Sequence, residues 1–85
     1  MSQAPRLSQV RTGRGVRQRD VASALAVSRQ RVSTVESTPV PALQVGTLAS
    51  YVRAVGGRLM VGVELPGAVV PLWWDASAAS RRRER

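Results

Sequence analysis

Three arginines and two glutamines lie in the segment QRDVASALAVSRQRVSTVE, which covers residues 18–36 of the chain. Their side chains carry N–H donors that suit phosphate oxygens, and both types can form paired hydrogen bonds with the edges of nucleotide bases. An ordinary solvated helix face would use the same residue types. Two interpretations of the segment are therefore open: a surface that hydrogen-bonds to a polyanion, or a helix face that is only exposed to solvent.

The residue types that usually perform catalysis or bind metals are missing. The 85 residues contain no Cys and no His, so a disulfide framework, a thiolate zinc site and the commonest general base are all excluded. A serine nucleophile would need a lysine or carboxylate partner, and the chain has neither a lysine nor a close pair of carboxylates. We expect a single-domain binding protein with no enzymatic activity, cofactor or metal.

Positive charge is concentrated at the two ends of the chain. The formal net charge is +8, and all 13 basic residues are arginines. Residues 1–37 carry a net charge of +5, residues 38–75 are neutral, and the last ten residues carry +3. This distribution favours a nucleic-acid-binding face in the front half. The codon bias of a GC-rich genome would also raise the arginine content, so charge alone does not require a polyanionic partner.

Apolar spacing predicts that residues 18–36 form two short helices joined by a tight turn. The two apolar stripes consist of Val21, Ala22, Leu25, Val32 and Val35. They cannot share one straight helical face, and Ser28 is a suitable N-cap for a second helix that begins at Arg29. A small residue at the helix contact, Ala22, and an apolar one after the turn, Val27, meet the requirements of a helix-turn-helix unit.

A further amphipathic helix and a change of period follow this unit. The helix is predicted over about residues 44–56 and ends at Gly56-Gly57. In RLMVGVEL, residues 58–65, alternate positions are apolar, which predicts a half-buried strand that presents Leu59, Val61, Val63 and Leu65. One strand has little stability alone. It should pair with a second copy of the chain through these dimerisation residues, or with residues 68–72 after a Pro-Gly turn.

The helix-turn-helix segment resembles the lambda-repressor and Cro-like regulators, often called the XRE family. The matching residues are Gln18, Val21, Ala22, Leu25, Val27, Ser28, Val32, Val35 and Glu36. Upstream, LSQVR at residues 7–11 is similar to the first helix of that family, with Leu7 and Val10 facing the core. The chain departs from the family at Ala26, where Gly is usual, and an Ala in the left-handed backbone region costs about 1 kcal/mol.

The resemblance implies a mainly α fold. Residues 1–57 would form a four-helix lambda-repressor-like helix-turn-helix DNA-binding domain, and residues 58–72 a C-terminal β-strand or short hairpin suited to pairing across a dimer. Residues 73–85 would be a basic, disordered tail. The resemblance also implies a structural ion pair between Arg11 and Glu36, the alternative being two unrelated surface charges.

A second likeness concerns the end of the helical domain. The block TLASYVRAVGGRLMVGVEL, residues 47–65, is similar to the HigA-type antitoxin branch of the family, in which the last helix runs into a Gly-Gly turn and a strand. This likeness implies a partner toxin as well as DNA.

The family geometry implies a DNA-binding surface built from two short stretches. The start and outer face of the second helix would enter the major groove, with Ser28, Arg29, Gln30, Ser33 and Thr34 on that surface. At the N-terminus of the preceding helix, Arg17, Gln18 and Arg19 would bind phosphate, and a capping or solvated role is the alternative for Gln18. Arg31 would reach a phosphate or only cover the flank of the fold.

The end of the chain leaves two choices open. Trp73 and Trp74 would anchor a protein interface or pack on the chain's own sheet. The final RRRER would add non-specific attraction to phosphate or be a solvated tail without function.

Together, these features predict a bacterial transcriptional regulator that acts as an autoregulating repressor. As a homodimer it would bind a near-palindromic double-stranded DNA operator. We expect it in the cytoplasm, at the nucleoid, because no apolar segment approaches the roughly 20 residues of a membrane span. The alternative is a HigA-like antitoxin that neutralises a partner toxin while repressing their shared operon. A fragment of a serine recombinase is a third reading, which would require a longer parent chain.

Overall fold

Four helices and one β-hairpin make up the computed structural model, which describes residues 6–77. The helices are α1 (Leu7–Gly13), α2 (Gln18–Leu25), α3 (Arg29–Ser37) and α4 (Val45–Ala54), with a 3₁₀ turn at Val40–Ala42 between the last two. The hairpin strands are β1 (Met60–Leu65) and β2 (Ala68–Trp74). The predicted fold class is confirmed. No described helix has the length and hydropathy needed to cross a membrane.

Local hydrogen bonds explain where the first three helices begin. The backbone N–H of Arg6 donates to Gln9 Oε1 at 2.7 Å, and the backbone N–H of Arg17 donates to Asp20 Oδ2 at 3.2 Å. Ser28 Oγ accepts from the backbone N–H of Arg31 at 3.0 Å, as expected of an N-cap. The predicted start of α3 is therefore correct.

Ala26 forms the turn between α2 and α3 in the left-handed backbone region. Its φ of 59° and ψ of 43° make it the one non-glycine residue with positive φ among residues 6–77. The turn is closed by a hydrogen bond of 3.0 Å from the backbone N–H of Val27 to the carbonyl of Ala22. The chain thus adopts the helix-turn-helix geometry despite an Ala at the strained position.

The hydrophobic core lies between the helices. Its buried residues are Leu7, Val21, Ala22, Val32, Val35, Tyr51 and Val55. Tyr51 is the largest fully buried side chain of the described residues, and apolar spacing did not single it out. Val10 was expected to face the core with Leu7, and this was wrong, because Val10 is 42% exposed. The seven-residue α1 buries only one of the two positions.

The strand predicted over 58–65 pairs within the chain. β1 and β2 are antiparallel, with Val63 opposite Val70 and Val61 opposite Trp73. The next residue along β1, Gly62, pairs with Pro71. Leu72 is therefore skipped in the pairing and forms a bulge in β2. β2 ends at Trp74, so the expected boundary at residue 72 lies two residues too early. Residues 75–77 of the predicted tail are also described, and its last part, residues 78–85, lies outside the described residues.

Partners across the hairpin define two faces, because paired residues point to the same side of an antiparallel ladder. Face one is apolar throughout and carries Val61, Val63, Leu65, Ala68, Val70 and Trp73. Face two carries Met60, Gly62, Glu64, Val69, Pro71 and Trp74. Every residue of both strands is exposed, so neither face is covered by the helices.

Candidate nucleic-acid interface

The outer side of α3 is open to solvent. Val32 and Val35, which are 1% and 5% exposed, anchor the inner side in the core. The opposite side presents the residues of this stretch that are expected to bind DNA, and all of them are exposed: Ser28, Arg29, Gln30, Ser33 and Thr34. A helix held on one side by two valines and polar on the other has the form needed for a major-groove reader.

Several hydroxyl groups on and beside α3 already form hydrogen bonds within the chain, including those of Ser28, Thr34 and Ser37. Thr34 Oγ1 donates to the carbonyl of Gln30 at 3.0 Å, and Ser28 Oγ caps the helix as described above. A threonine hydroxyl has one proton and two acceptor lone pairs. In this arrangement Thr34 presents an acceptor and a methyl group to any molecule that approaches α3.

A basic groove lies beside α3, with a volume of about 650 Å³. It runs from the end of α1 across the N-terminus of α2 to the first residue of α3, and it is lined by Arg11, Thr12, Gly15, Val16, Arg17, Gln18, Arg19 and Arg29. The structure therefore brings Arg29, expected to read a base, together with Arg17 and Arg19, expected to bind phosphate. Exposed guanidinium groups around a groove are suited to a phosphate backbone.

Arg31 lies away from this groove. It lines a different depression, of about 220 Å³, between the α2–α3 turn and α4. Leu25, Val27 and Tyr51 are among the other residues that line this depression. Of the two roles open to Arg31, this position favours covering the flank of the fold.

The carboxylate of Glu36, in α3, accepts hydrogen bonds from one side chain of each of the other three helices. Arg11 of α1 donates to its carboxylate through Nε at 2.6 Å and through a terminal nitrogen at 3.4 Å. Gln18 of α2 donates through Nε2 at 3.1 Å, and the Tyr51 hydroxyl of α4 donates at 2.5 Å. The Arg11–Glu36 ion pair implied by the family resemblance is present, with side chains 13% and 7% exposed.

These contacts shift the pKa values of the network. Burial raises the pKa of Glu36, but the hydrogen bonds from Arg11, Tyr51 and Gln18 outweigh it, so the net pKa lies below its usual value. Burial and the neighbouring carboxylate raise the pKa of the Tyr51 hydroxyl. The hydrogen bond from Arg11 to Glu36 raises the pKa of Arg11. Near neutral pH the network therefore holds a charged Arg11, a charged Glu36 and a neutral Tyr51.

Gln18 takes part in this network as well as in the groove. Its amide nitrogen has two N–H donors, and the hydrogen bond to Glu36 uses one of them. The other remains available to a phosphate in the groove. The side chain is half-buried, in contrast to the exposed Arg17 and Arg19.

The residues expected to form a dimer interface lie on or beside face one of the hairpin. Leu59 is half-buried just before β1, whereas Val61, Val63 and Leu65 are 36%, 39% and 48% exposed. Contiguous exposed apolar surfaces often mark protein–protein contacts.

The two tryptophans belong to the same sheet but to opposite faces. Trp73 lies on face one and Trp74 on face two, and each is 44% exposed. The guanidinium carbon of Arg58 lies 5.8 Å from the centroid of the Trp74 ring, within the range of a cation–π contact.

Sequence reasoning missed a second ion pair at the base of the hairpin. Arg53 Nε lies 2.8 Å from Asp75 Oδ2, and the Asp75 side chain is only 6% exposed. The two residues are 22 positions apart, so no local spacing signals the contact.

Comparisons with models of known protein families give no match. The antitoxin HigA3 of Mycobacterium tuberculosis (strain ATCC 25618 / H37Rv) is 41% identical over 70 residues, which are 81% of this chain and 64% of that protein. HigA2 of the same organism is 37% identical over 60 residues, or 71% of this chain and 59% of that protein. The chain thus spans about three fifths of the length of these curated relatives.

Two solved structures share the fold. One is described as "DNA bound antitoxin HigA3", with 40% identity and a TM-score of 0.75 over 85% of this chain and 94% of that chain. The other, described as "Induced DNA bending by unique dimerization of HigA antitoxin", has 40% identity and a TM-score of 0.74 over 85% and 96% of the two chains.

Proposed function

The chain belongs to the HigA antitoxin family, and from that premise we propose that it is a sequence-specific DNA-binding transcriptional regulator that reads the major groove as a homodimer. The observation that carries this proposal is the basic groove that joins Arg17 and Arg19 to Arg29 at the start of α3. In this proposal the arginines that line the groove bind the DNA backbone, and the exposed outer side of α3 beside them reads the bases. One of the related structures is described as DNA-bound, which supports the same reading.

Each part of the surface has its own task in this proposal. Arg29 forms paired hydrogen bonds with guanine O6 and N7, and Gln30 with adenine N6 and N7. Thr34, whose proton is held by the helix, accepts from an exocyclic amino group or packs its methyl group on thymine. Arg17, Arg19 and the free N–H of Gln18 bind the backbone phosphate and set the register of the helix in the groove.

A homodimer explains the exposed hairpin. Face one of the hairpin presents an apolar surface that a second copy can cover, and a two-fold axis is the commonest symmetry of such contacts. Two recognition helices related by that axis enter successive major grooves about 34 Å apart, so the operator is near-palindromic. Binding to such a site upstream of its own gene would make the protein an autoregulating repressor, which acts at the nucleoid in the cytoplasm.

A second candidate function is neutralisation of a partner toxin, with repression of their shared operon. The supporting observation is that Trp73 and Trp74 lie on opposite hairpin faces, so a dimer that covers face one leaves Trp74 exposed. The relatives are named antitoxins. A small toxin-like reading frame beside the gene would support this function, whereas a phage integrase or structural gene there would favour a prophage repressor.

The DNA-binding proposal is tested by fluorescence anisotropy at physiological salt. The probes are the DNA just upstream of this protein's own gene and a shuffled copy of the same composition. We expect the protein to bind the upstream DNA about a hundredfold more tightly than the shuffled copy, or better. Mature operators are typically bound roughly 10³ to 10⁷ times more tightly than non-specific DNA, so this threshold is a modest one. Equal weak binding to both probes would mean that the arginines attract any phosphate, and would contradict the proposal.

A matched pair of variants locates the binding surface. Arg17→Ala removes a charge from the groove, whereas Arg6→Ala removes the same charge from a different depression beside Glu36 and Pro39. We expect Arg17→Ala to weaken binding and Arg6→Ala to leave it close to that of the unmodified protein. Equal losses in the two variants would show that net charge, and not the groove, is responsible.

A further inference from the structure

The hairpin is attached to the helices without sharing their apolar core. The core cluster among residues 6–77 contains side chains from the helices and from Val55 at the end of α4, and none from either strand. Because every strand residue is exposed, apolar packing does not hold the hairpin at a particular angle to the helical domain. Its orientation must come from the connections at its base.

The first connection is the chain itself as it leaves α4. Val55 is 2% exposed, and its carbonyl accepts a hydrogen bond of 3.0 Å from Arg14 Nε. Gly56 then turns the chain with a φ of +91°, and the N–H of Gly57 donates to the carbonyl of Val52 at 2.9 Å. These contacts fix the end of α4 to the helical domain, so the near end of β1 starts from a defined point.

The second connection is the ion pair between Arg53 and Asp75. Asp75 follows the last residue of β2 and is 4% exposed, and its Oδ2 lies 2.8 Å from Arg53 Nε in the last turn of α4. Its backbone N–H donates to the carbonyl of Leu59 at 3.0 Å, which closes the base of the hairpin. β1 is therefore joined to α4 by the chain, and β2 by the ion pair.

Two connections to the same helix define an angle, whereas a single covalent link would let the hairpin rotate. α4 is in turn joined to the recognition helix, because Tyr51 donates to Glu36 of α3 at 2.5 Å. The path from hairpin to α3 thus runs through Asp75, Arg53 and α4. If two chains associate through their hairpins, the hairpin angle sets the distance between the two recognition helices.

We propose that Arg53 and Asp75 are positioning residues for operator recognition, which set the half-site spacing that the homodimer accepts. Neither residue needs to touch DNA for this role. The inference rests on the proposed function, because it requires a dimer assembled on the hairpin and a two-part operator. When both half-sites are aligned, binding at the second becomes intramolecular and gains roughly 10² to 10⁴ in affinity.

The test uses the full chain and duplexes that carry two copies of its half-site. The half-site centres are separated by one helical turn, or by one to three base pairs more or fewer. The variants are Asp75→Asn and Arg53→Gln, with Arg58→Gln as a matched control, because Arg58 also lies near the hairpin base but contacts Trp74 and not Asp75. Sedimentation velocity measures dimerisation, and circular dichroism measures helical content.

We expect Asp75→Asn and Arg53→Gln to remain dimeric and to lose roughly tenfold or more in affinity at the preferred spacing, a part of the intramolecular gain. Affinity at the other spacings should change less, so the spacing profile flattens. Arg58→Gln should keep the profile of the unmodified protein. If Asp75→Asn fails to fold because its site is buried, Arg53→Gln decides the question, since the Arg53 side chain is 34% exposed.

Two outcomes would overturn the inference. One is an unchanged spacing profile in the folded variants, and the other is an equal loss at every spacing, which a lost phosphate contact would produce. Failure of the unmodified protein to dimerise or to prefer its upstream DNA would overturn the proposed function as well. That result is read before any variant is made, so the two failures are distinguishable.

Discussion

The hydroxyl of Tyr51 donates a hydrogen bond of 2.5 Å to the carboxylate of Glu36, which joins α4 to α3, the proposed recognition helix. Tyr51 is 1% exposed, so the contact is shielded from water. With Arg11 and Gln18, it makes one carboxylate the common partner of three other helices. The position of α3, and with it the proposed DNA-reading surface, therefore depends on this network.

Replacing Tyr51 with phenylalanine tests its contribution to stability. The ring is kept, but the hydrogen bond to a charged acceptor is lost, so we expect the free energy of unfolding to fall by about 1.5 to 3 kcal/mol. Urea denaturation measures the change. In a Glu36→Gln background the same substitution should cost less, because the charged acceptor is absent. Equal costs in both backgrounds would show that the hydroxyl does not act through Glu36.

The depressed pKa of Glu36 predicts a loss of stability in acid. A carboxyl group whose pKa is lower in the folded protein than its ordinary 4.5 stabilises the fold above that ordinary value. As the pH falls below 4.5 and through the folded pKa, protonation removes this contribution. The free energy of unfolding should fall over this range more steeply in the unmodified protein than in Glu36→Gln. Parallel pH profiles would contradict the assignment.

Ala26 sits at a backbone position that favours glycine. With φ at 59°, Ala26→Gly relieves strain of about 1 kcal/mol, partly offset by the greater freedom of glycine in the unfolded chain, so we expect a small gain in stability. Ala24→Gly is the matched control, because Ala24 is exposed within α2, where glycine should cost about 0.5 to 1 kcal/mol. The two variants should shift the urea midpoint in opposite directions. A loss of stability in both would contradict the argument from strain.

Arg29 and Arg17 should differ in how they affect specificity. Arg29→Ala should relax discrimination at one base pair by about 1 to 3 kcal/mol. Arg17→Ala should weaken binding to all sequences and reduce the slope of log affinity against log salt by about one. Competition anisotropy with single-base operator variants separates the two effects. An equal loss across all sequences for Arg29→Ala would assign that residue to phosphate.

The two hairpin faces should differ in their importance for dimerisation. Val63→Glu places a charge on face one, opposite Val70, and should produce a monomer with weakened operator binding. Val69→Glu places the same charge on face two, where Val69 is 72% exposed, and should remain dimeric. Sedimentation velocity distinguishes the two states. If Val69→Glu alone is monomeric, face two is the interface instead.

The local features of the chain were predictable from short stretches of sequence. Apolar spacing over a few residues located α2 and α3, Ser28 marked the start of α3, and the alternating pattern after Gly57 located β1. Each of these signals depends on neighbours within one or two turns, because helix caps and side-chain periodicity are local properties of the backbone. The family resemblance added the Arg11–Glu36 pair.

The tertiary structure decided which distant residues meet. Tyr51 and Gln18 both reach Glu36, and Asp75 reaches Arg53, across separations for which the sequence contains no spacing rule. The pairing of β1 with β2 and the exposure of Val10 also depend on how the helices and the hairpin are placed relative to one another. Such contacts follow from the packing of whole elements. The sequence by itself therefore determined the parts of the proposed DNA-reading surface, and only the folded chain decided how they are held together.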